Sequence, residues 1–282
     1  MKNEILDILT KANFSKDFIH YTTNNFPMNY SLKIEDLFQS SSSVDAMLQL
    51  DKESQVFELL AQLIKLKNDY LSKNIPLIHF YNSIYDLNYR VMRYYHKEHI
   101  FGVGKKDLKW LAFIYRGEIF DLGSLRFQMT SFNYQEIERE GYQYMPLDKK
   151  WKKRFPETEP IINIHIIKNA DLSPDKVEDS LTAAIHFFAN YFPAHDYEIF
   201  LCRTWLLYPP MRQLLDPDSN IVSFSKRFEI IAKNENAKQA LDRIYGTSDL
   251  ETICSMDKES SLEQSAYKNL DNLGVTAGII YK

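Results

Sequence analysis

Glycine, proline and cysteine are all scarce in this sequence: its 282 positions hold 8, 10 and 2 of them. So few glycines and prolines exclude a low-complexity or linker-rich chain. Cys202 and Cys254 stand apart, with no CxxC pair and no histidine cluster at ligand spacing, so no disulfide framework and no metal centre are expected. Two lone thiols fit a reducing compartment, and the expected location is cytoplasmic. Neither sign of charge dominates. The 34 Lys and Arg face 38 Asp and Glu, a net charge of −4 spread along the chain, which gives no basis for a nucleic-acid surface. Long apolar runs are missing too: none reaches the ~20 residues a bilayer span needs, so no membrane association is expected. Residues 1–7 place acids within a helical pattern, unlike a signal peptide. What the chain does have is 45% apolar residues, including 18 Tyr and 18 Phe, ample for a packed core in one large or two ordinary domains.

Periodicity divides the chain near Arg116. Before it, apolar residues recur at helical spacing. Short helices are expected at 3–12, 31–38 and 107–115, with longer ones at 52–72 and 77–100. Val56, Leu59, Leu60, Leu63, Ile64 and Leu66 give the first long helix a wide apolar face, and Asn74-Ile75-Pro76 closes it. The stretch from Tyr89 to His96 mixes aromatics and bases; spread around a helix, it reads as interdomain packing with exposed charges.

After Gly117 the period changes. Residues 119–129 read as two strands hinged at Gly123-Ser124, and 133–159 as a polar excursion. Residues 161–167, almost all isoleucine, form the next expected strand. Ser173-Pro174 then opens a long helix, with Ser at the N-cap and Pro at the first helical position. Val177, Leu181, Ala184, Ile185 and Phe188 give it an apolar face, and Phe192-Pro193 ends it. A second strand follows at 199–202 and is expected to continue to 207. Such a unit usually lays two parallel strands side by side with a right-handed crossover. A short helix is expected at 209–215, strands at 221–224 and 228–231, helices at 237–245 and 261–273, and a final strand at 278–281. The expected fold class is α+β: a helical N-terminal domain over 1–116, then a mixed-sheet domain with crossover helices over 117–282.

This order, hairpin, strand, long helix, strand, short helix, strand, resembles the GNAT acetyltransferase superfamily. More narrowly, it resembles bacterial acyltransferases that join a helical N-terminal domain to a GNAT-like C-terminal domain. The residues that carry the likeness are Phe120 through Gln128, Asn163-Ile164-His165-Ile166, Ser180 to Phe188, Phe192-Pro193, Cys202 to Leu207 and Ser219 to Phe228. They span about the last 170 residues. The resemblance implies acyl transfer from an acyl-CoA thioester to a small amine or similar acceptor. It also implies an acyl-CoA arm lying along Ile166, Ile167, Lys168, Ser173 and Lys176. One departure is plain: GNAT enzymes hold the pyrophosphate on a glycine-rich turn before the long helix. Here that turn is Lys168-Asn169-Ala170-Asp171-Leu172-Ser173, with no glycine and with Pro174 removing a donor. The alternative is a non-catalytic module of the same fold that binds a ligand or protein.

Amine acylation asks for a base, a donor for the carbonyl oxygen and an acid for the leaving thiolate. His165 is the candidate base, on the strand face it shares with Asn163; the competing reading is a histidine bonded between sheet and helix. Tyr208, just before the short helix after the second strand, is the nearest match to the acid of GNAT enzymes. Arg126, between Leu125 and Phe127, needs a partner such as Asp121 or a ligand carboxylate, and is the candidate acceptor anchor. Cys202 could lie beside His165 as a thiol nucleophile or a substrate contact, or be an inert core residue. Trp205, with Arg203, stands where a ligand would approach, although core packing explains an indole as well.

Overall fold

The computed structural model describes residues 1–34, 37–38, 41–134, 149–167 and 169–282, with 41–43 described by their backbone. The chain forms two compact units, Met1–Asp121 and Leu122–Lys282.

The first unit is helical: α1 (Lys2–Lys11), α2 (Lys16–Asn25), α3 (Ser41–Gln49), α4 (Lys52–Ser72), α5 (Leu77–Glu98) and α6 (Lys105–Tyr115). Side-chain caps fix several starts. Asp51 accepts from the Ser54 amide at 2.8 Å to open α4, and Ser15 accepts from the Phe18 amide to open α2. Left-handed Asn74 and His99 follow the ends of α4 and α5. The expected helix over 31–38 is not found. Residues 31–34 are irregular and 37–38 form a turn, while 35 and 36 lie outside the described residues. The reason is a buried carboxylate: Glu58 on α4 accepts from the Lys33 amide at 3.0 Å, the Ile34 amide at 3.1 Å and the Tyr30 hydroxyl at 2.8 Å. Charge-assisted bonds of this kind outcompete a short helix for the same amides. Nor is Arg90 an exposed charge. It donates to Asp86 and to Asp107 at 2.5 Å, tying α5 to α6.

The second unit is built on a six-stranded mixed sheet in the order β1-β2-β3-β4-β6-β5. Its strands are β1 (Ile119–Leu122), β2 (Leu125–Ser131), β3 (Pro160–His165), β4 (Ile199–Thr204), β5 (Glu229–Asn234) and β6 (Val275–Tyr281), and the unit boundary falls within β1. Between them lie α7 (Lys149–Arg154), α8 (Pro174–Tyr191), a 3₁₀ turn (Trp205–Leu207), α9 (Pro209–Leu214), α10 (Asn220–Ser225), α11 (Lys238–Ile244), α12 (Leu250–Ser255), α13 (Ser261–Lys268) and a second 3₁₀ turn (Leu270–Asn272). β3 and β4 pair in parallel around α8 as expected, whereas β2–β3, β4–β6 and β5–β6 are antiparallel.

Three expectations change here. Residues 221–224 are helical, not a strand. Ser219 accepts from the Val222 amide at 3.3 Å and opens α10, so a cap overrides the β-branched pattern. The chain after Thr204 turns into a 3₁₀ turn, with the Thr204 hydroxyl accepting from the Leu206 amide. α12, absent from the expected elements, starts on Asp249, which accepts from the Thr252 amide at 2.8 Å.

One sheet face packs on α8. Phe127 meets Phe200 edge-on at 5.7 Å, Phe200 meets Tyr197, and Tyr197 meets Phe188 of the helix. Phe127 and Phe200 are fully buried, each worth about 1.5–3 kcal/mol. The β1–β2 turn is held to α8 by Ser180. Its hydroxyl accepts from the Ser124 amide at 2.8 Å and donates to the Lys176 carbonyl at 2.9 Å. Gly123 has φ of +83°, and a Cβ there would stand 2.6 Å from the Ser180 oxygen, so glycine is required twice over. The other face carries an apolar cluster of Ile161, Ile199, Leu201, Ala277 and Ile279, covered by Phe132 and Phe155.

Candidate active site

Strand alternation and register sort the candidate residues. Arg126 pairs with His165 and Gln128 with Asn163 across β2–β3, while Asn163 pairs with Leu201 across β3–β4. Arg126, Gln128, Asn163, His165 and Arg203 therefore share the face of the apolar cluster, at the end where β3 finishes. Paired residues of β3 and β4 run from Ile162/Phe200 to Ile164/Cys202, while β4 continues to Thr204. Pairing thus stops level with the polar group.

The group is built for a buried imidazole. Arg126, Gln128 and Asn163 are each buried, and His165 is part-buried. His165 Nε2 lies 2.8 Å from Gln128 Oε1 and 3.3 Å from Asn163 Nδ2. The histidine is bonded across two strands, β2 and β3. Burial first, then the like charges of Arg203 and Arg126, push its pKa down from 6.5 to about 3. At neutral pH the ring is uncharged.

That shift makes the fold sensitive to acid. The unfolded imidazole takes up its proton near 6.5 and the folded one only near 3, so between those values the unfolded state binds more protons. Stability from this residue is fully present above pH 6.5. It falls as pH falls through the window, by about 1.4 kcal/mol per pH unit. His165→Gln should therefore narrow the drop in melting temperature between about pH 7 and about pH 4.5. Melting curves at the two pH values check this, and an unchanged drop would assign the acid sensitivity elsewhere.

The other candidates fall in different places. Cys202 pairs with Ile164, not His165, and so lies on the opposite face. Its thiol is buried, and burial pushes it up to about 12. The expected neighbour of His165 is an inert core thiol, and no thiolate is at hand. Trp205 is buried in the 3₁₀ turn, its amide donating to Gln239 Oε1 at 2.9 Å. Tyr208 opens α9 with its ring against Gly274. Burial, and then Glu235, raise its pKa, so the phenol keeps its proton. Ile166 is half-buried and Ile167 exposed, just beyond β3; Lys168 lies outside the described residues.

At the start of α8, Ser173 occupies the N-cap position, but its hydroxyl makes no cap bond. Its amide donates instead to Asp171 Oδ1 at 2.9 Å, a bond that holds the Asp171 carboxyl below its usual value. Lys176 is exposed and 3.9 Å from Asp179. Arg227 reaches the same helix start, donating to Glu178 at 2.6 Å and to the Pro174 carbonyl at 3.1 Å. Among the described residues, no group of three or more His, Cys, Asp or Glu is placed to hold a metal. No described helix is long and apolar enough to cross a membrane.

Gln128 was not singled out from sequence. The signal was there: polar residues at alternate positions, Arg126 and Gln128, flanking Phe127 mark one polar patch on that face.

A helical unit followed by a mixed sheet, with parallel β3 and β4 joined through α8, defines the GNAT-like class. The chain belongs to the family of the GNAT-like C-terminal domain, whose model matches residues 119–279. No curated protein matches it. Among solved structures, it is similar to an acyltransferase in complex with decanoyl-CoA. The TM-score is 0.71 at 19% identity, over 99% of this chain and 87% of that one. An acyltransferase mutant in complex with octanoyl-CoA gives a TM-score of 0.71 at 16% identity, covering 99% of this chain and 88% of the other. An acyltransferase in complex with decanoyl-CoA and teicoplanin gives 0.65 at 14% identity, with 98% of each chain covered.

Proposed function

We propose that the chain is an enzyme that moves an acyl group from acyl-CoA to the amine of a small-molecule acceptor, using residues 117–282. The observation that carries this reading is the uncharged His165, flanked by Arg126 and Arg203 where β3–β4 pairing stops. Support also comes from a fold shared along 99% of the chain with an acyltransferase that holds decanoyl-CoA.

In this reading the amine nitrogen bonds to the thioester carbonyl carbon and the C–S bond breaks. His165 takes the amine proton and Tyr208 protonates the departing thiolate, giving an amide and free CoA. Arg126 holds a carboxylate of the acceptor. The pantetheine arm follows Ile166 and Ile167 towards Ser173 and Lys176, with Trp205 beside it. Cys202, on the other face, has no part in the chemistry. The buried and exposed free thiols, Cys202 and Cys254, fit a cytoplasmic setting.

A second reading, a binding module without CoA chemistry, is favoured by one observation. Asp171 occupies the Ser173 amide and Pro174 supplies none, so the start of α8 offers phosphate fewer donors than a glycine-rich turn. Titrating the full chain with acetyl-, octanoyl- and decanoyl-CoA by calorimetry, and following thiol release with an amine present, tests the proposal. Micromolar binding and amine-dependent CoA release are expected. Absence of binding at millimolar concentration would favour the second reading. Under the first reading, Asp171→Asn should tighten CoA binding a few-fold.

A further inference from the structure

We infer that Gln128 is a positioning residue that selects which nitrogen of His165 acts: it holds the proton on Nε2 and leaves Nδ1 as the proton acceptor. The use made of that nitrogen rests on the acyl-transfer reading, but the tautomer does not.

A neutral imidazole has one N–H and one lone pair, and its hydrogen bonds decide which nitrogen bears which. Gln128 Oε1, an amide oxygen that can only accept, stands 2.8 Å from His165 Nε2. Nε2 must therefore donate. Gln128 is itself buried, and its partner across the β2–β3 ladder is Asn163, so its backbone is fixed by the sheet. Few rotamers of so confined a side chain would keep the contact.

Asn163 is compatible with this tautomer only with its amide turned over. Asn163 Nδ2 lies 3.3 Å from the same nitrogen, and two donors cannot share one contact. Asn163 Oδ1 meanwhile is buried with no hydrogen-bond partner, a costly state for an amide oxygen. Turning that amide over about its Cβ–Cγ bond brings Oδ1 to the Nε2 proton as a second acceptor. Gln128 and Asn163 then both face one donor, and the opposite tautomer would leave both oxygens opposed to a lone pair. Burial, and then the charges of Arg203 and Arg126, keep this ring neutral, and only a neutral ring has a tautomer to choose.

The test reads the ring directly. Long-range proton–nitrogen NMR on the full chain, with labelled histidine and His165 assigned by its loss in His165→Gln, distinguishes the two nitrogens at neutral pH. The expected spectrum has a protonated Nε2 and an unprotonated Nδ1. Gln128→Leu should shift the population towards protonated Nδ1, whereas Gln128→Glu, which keeps an acceptor oxygen, should keep Nε2 protonated while its carboxylate raises the pKa of the ring. A purely structural role would be disturbed by both variants alike. A wild-type spectrum with protonated Nδ1, or no change in Gln128→Leu, would overturn the inference. Neither outcome depends on turnover, so a chain that fails to transfer acyl groups could still confirm the tautomer, and an active one could refute it.

Discussion

Replacing His165 by alanine should lower the rate of amine acylation by about 10²-fold or more while acyl-CoA binding changes only a few-fold. The split is the point. A base acts in the transition state, so its removal lowers turnover and leaves ground-state binding of the thioester nearly intact. The ring is pushed down to about 3 in the free chain, chiefly by burial and then by Arg203 and Arg126. That makes it a weak base until something offsets the two charges. A carboxylate on the acceptor, seated at Arg126, would do so and raise the imidazole pKa towards the working range. Turnover in the complex should therefore show an acidic limb at higher pH than the free chain's own titration. Arg126→Gln should remove that coupling for carboxylate-bearing acceptors and spare neutral amines. Single-turnover kinetics with each variant measures both effects. A fall below tenfold in His165→Ala would remove the imidazole from the base role.

The sheet order was legible where the sequence spells out both pattern and punctuation. The isoleucine run of β3, the Ser173-Pro174 start of α8 and its Phe192 end all stand where the structure has them, within two residues. So does the hinge at Gly123-Ser124, because left-handed backbone leaves glycine as the default choice. What misled was local propensity against a distant partner. Residues 31–34 look helical until Glu58, 24 residues further on from Ile34, takes the amides of Lys33 and Ile34. Residues 221–224 look like a strand until Ser219 caps them. The site was half legible: alternation puts Asn163 with His165, and Arg126 with Gln128, on one face of each strand, but only the register brings the two pairs together. Register also separates Cys202 from His165, since a one-residue offset between parallel strands moves a side chain to the other face.

Gly274→Ala should cost about 1–3 kcal/mol and lower the melting temperature by about 2–4 °C for each kcal/mol. Gly274 precedes β6 where the strand meets the end of β5, and Asn234 pairs with Val275. A Cβ at 274 would stand 2.4 Å from the Asn234 carbonyl oxygen and 2.6 Å from two atoms of the Tyr208 ring. A flexible side chain could swing clear, but a carbonyl fixed in a strand cannot, so the strand end itself must shift. The two overlaps can be told apart. Tyr208→Ala in the Gly274→Ala background removes the ring and should recover only part of the loss, because the Asn234 contact remains. Tyr208→Phe keeps both ring atoms and should recover none. Denaturant unfolding of these chains, with each Tyr208 variant also made alone, six chains in all, measures the coupling. If Gly274→Ala alone proves neutral, the β5–β6 end is free to move, and Tyr208 is then not held in place from below. If the loss is large and only half recovered, the same glycine that lets the strands close also fixes the ring that would protonate the leaving thiolate.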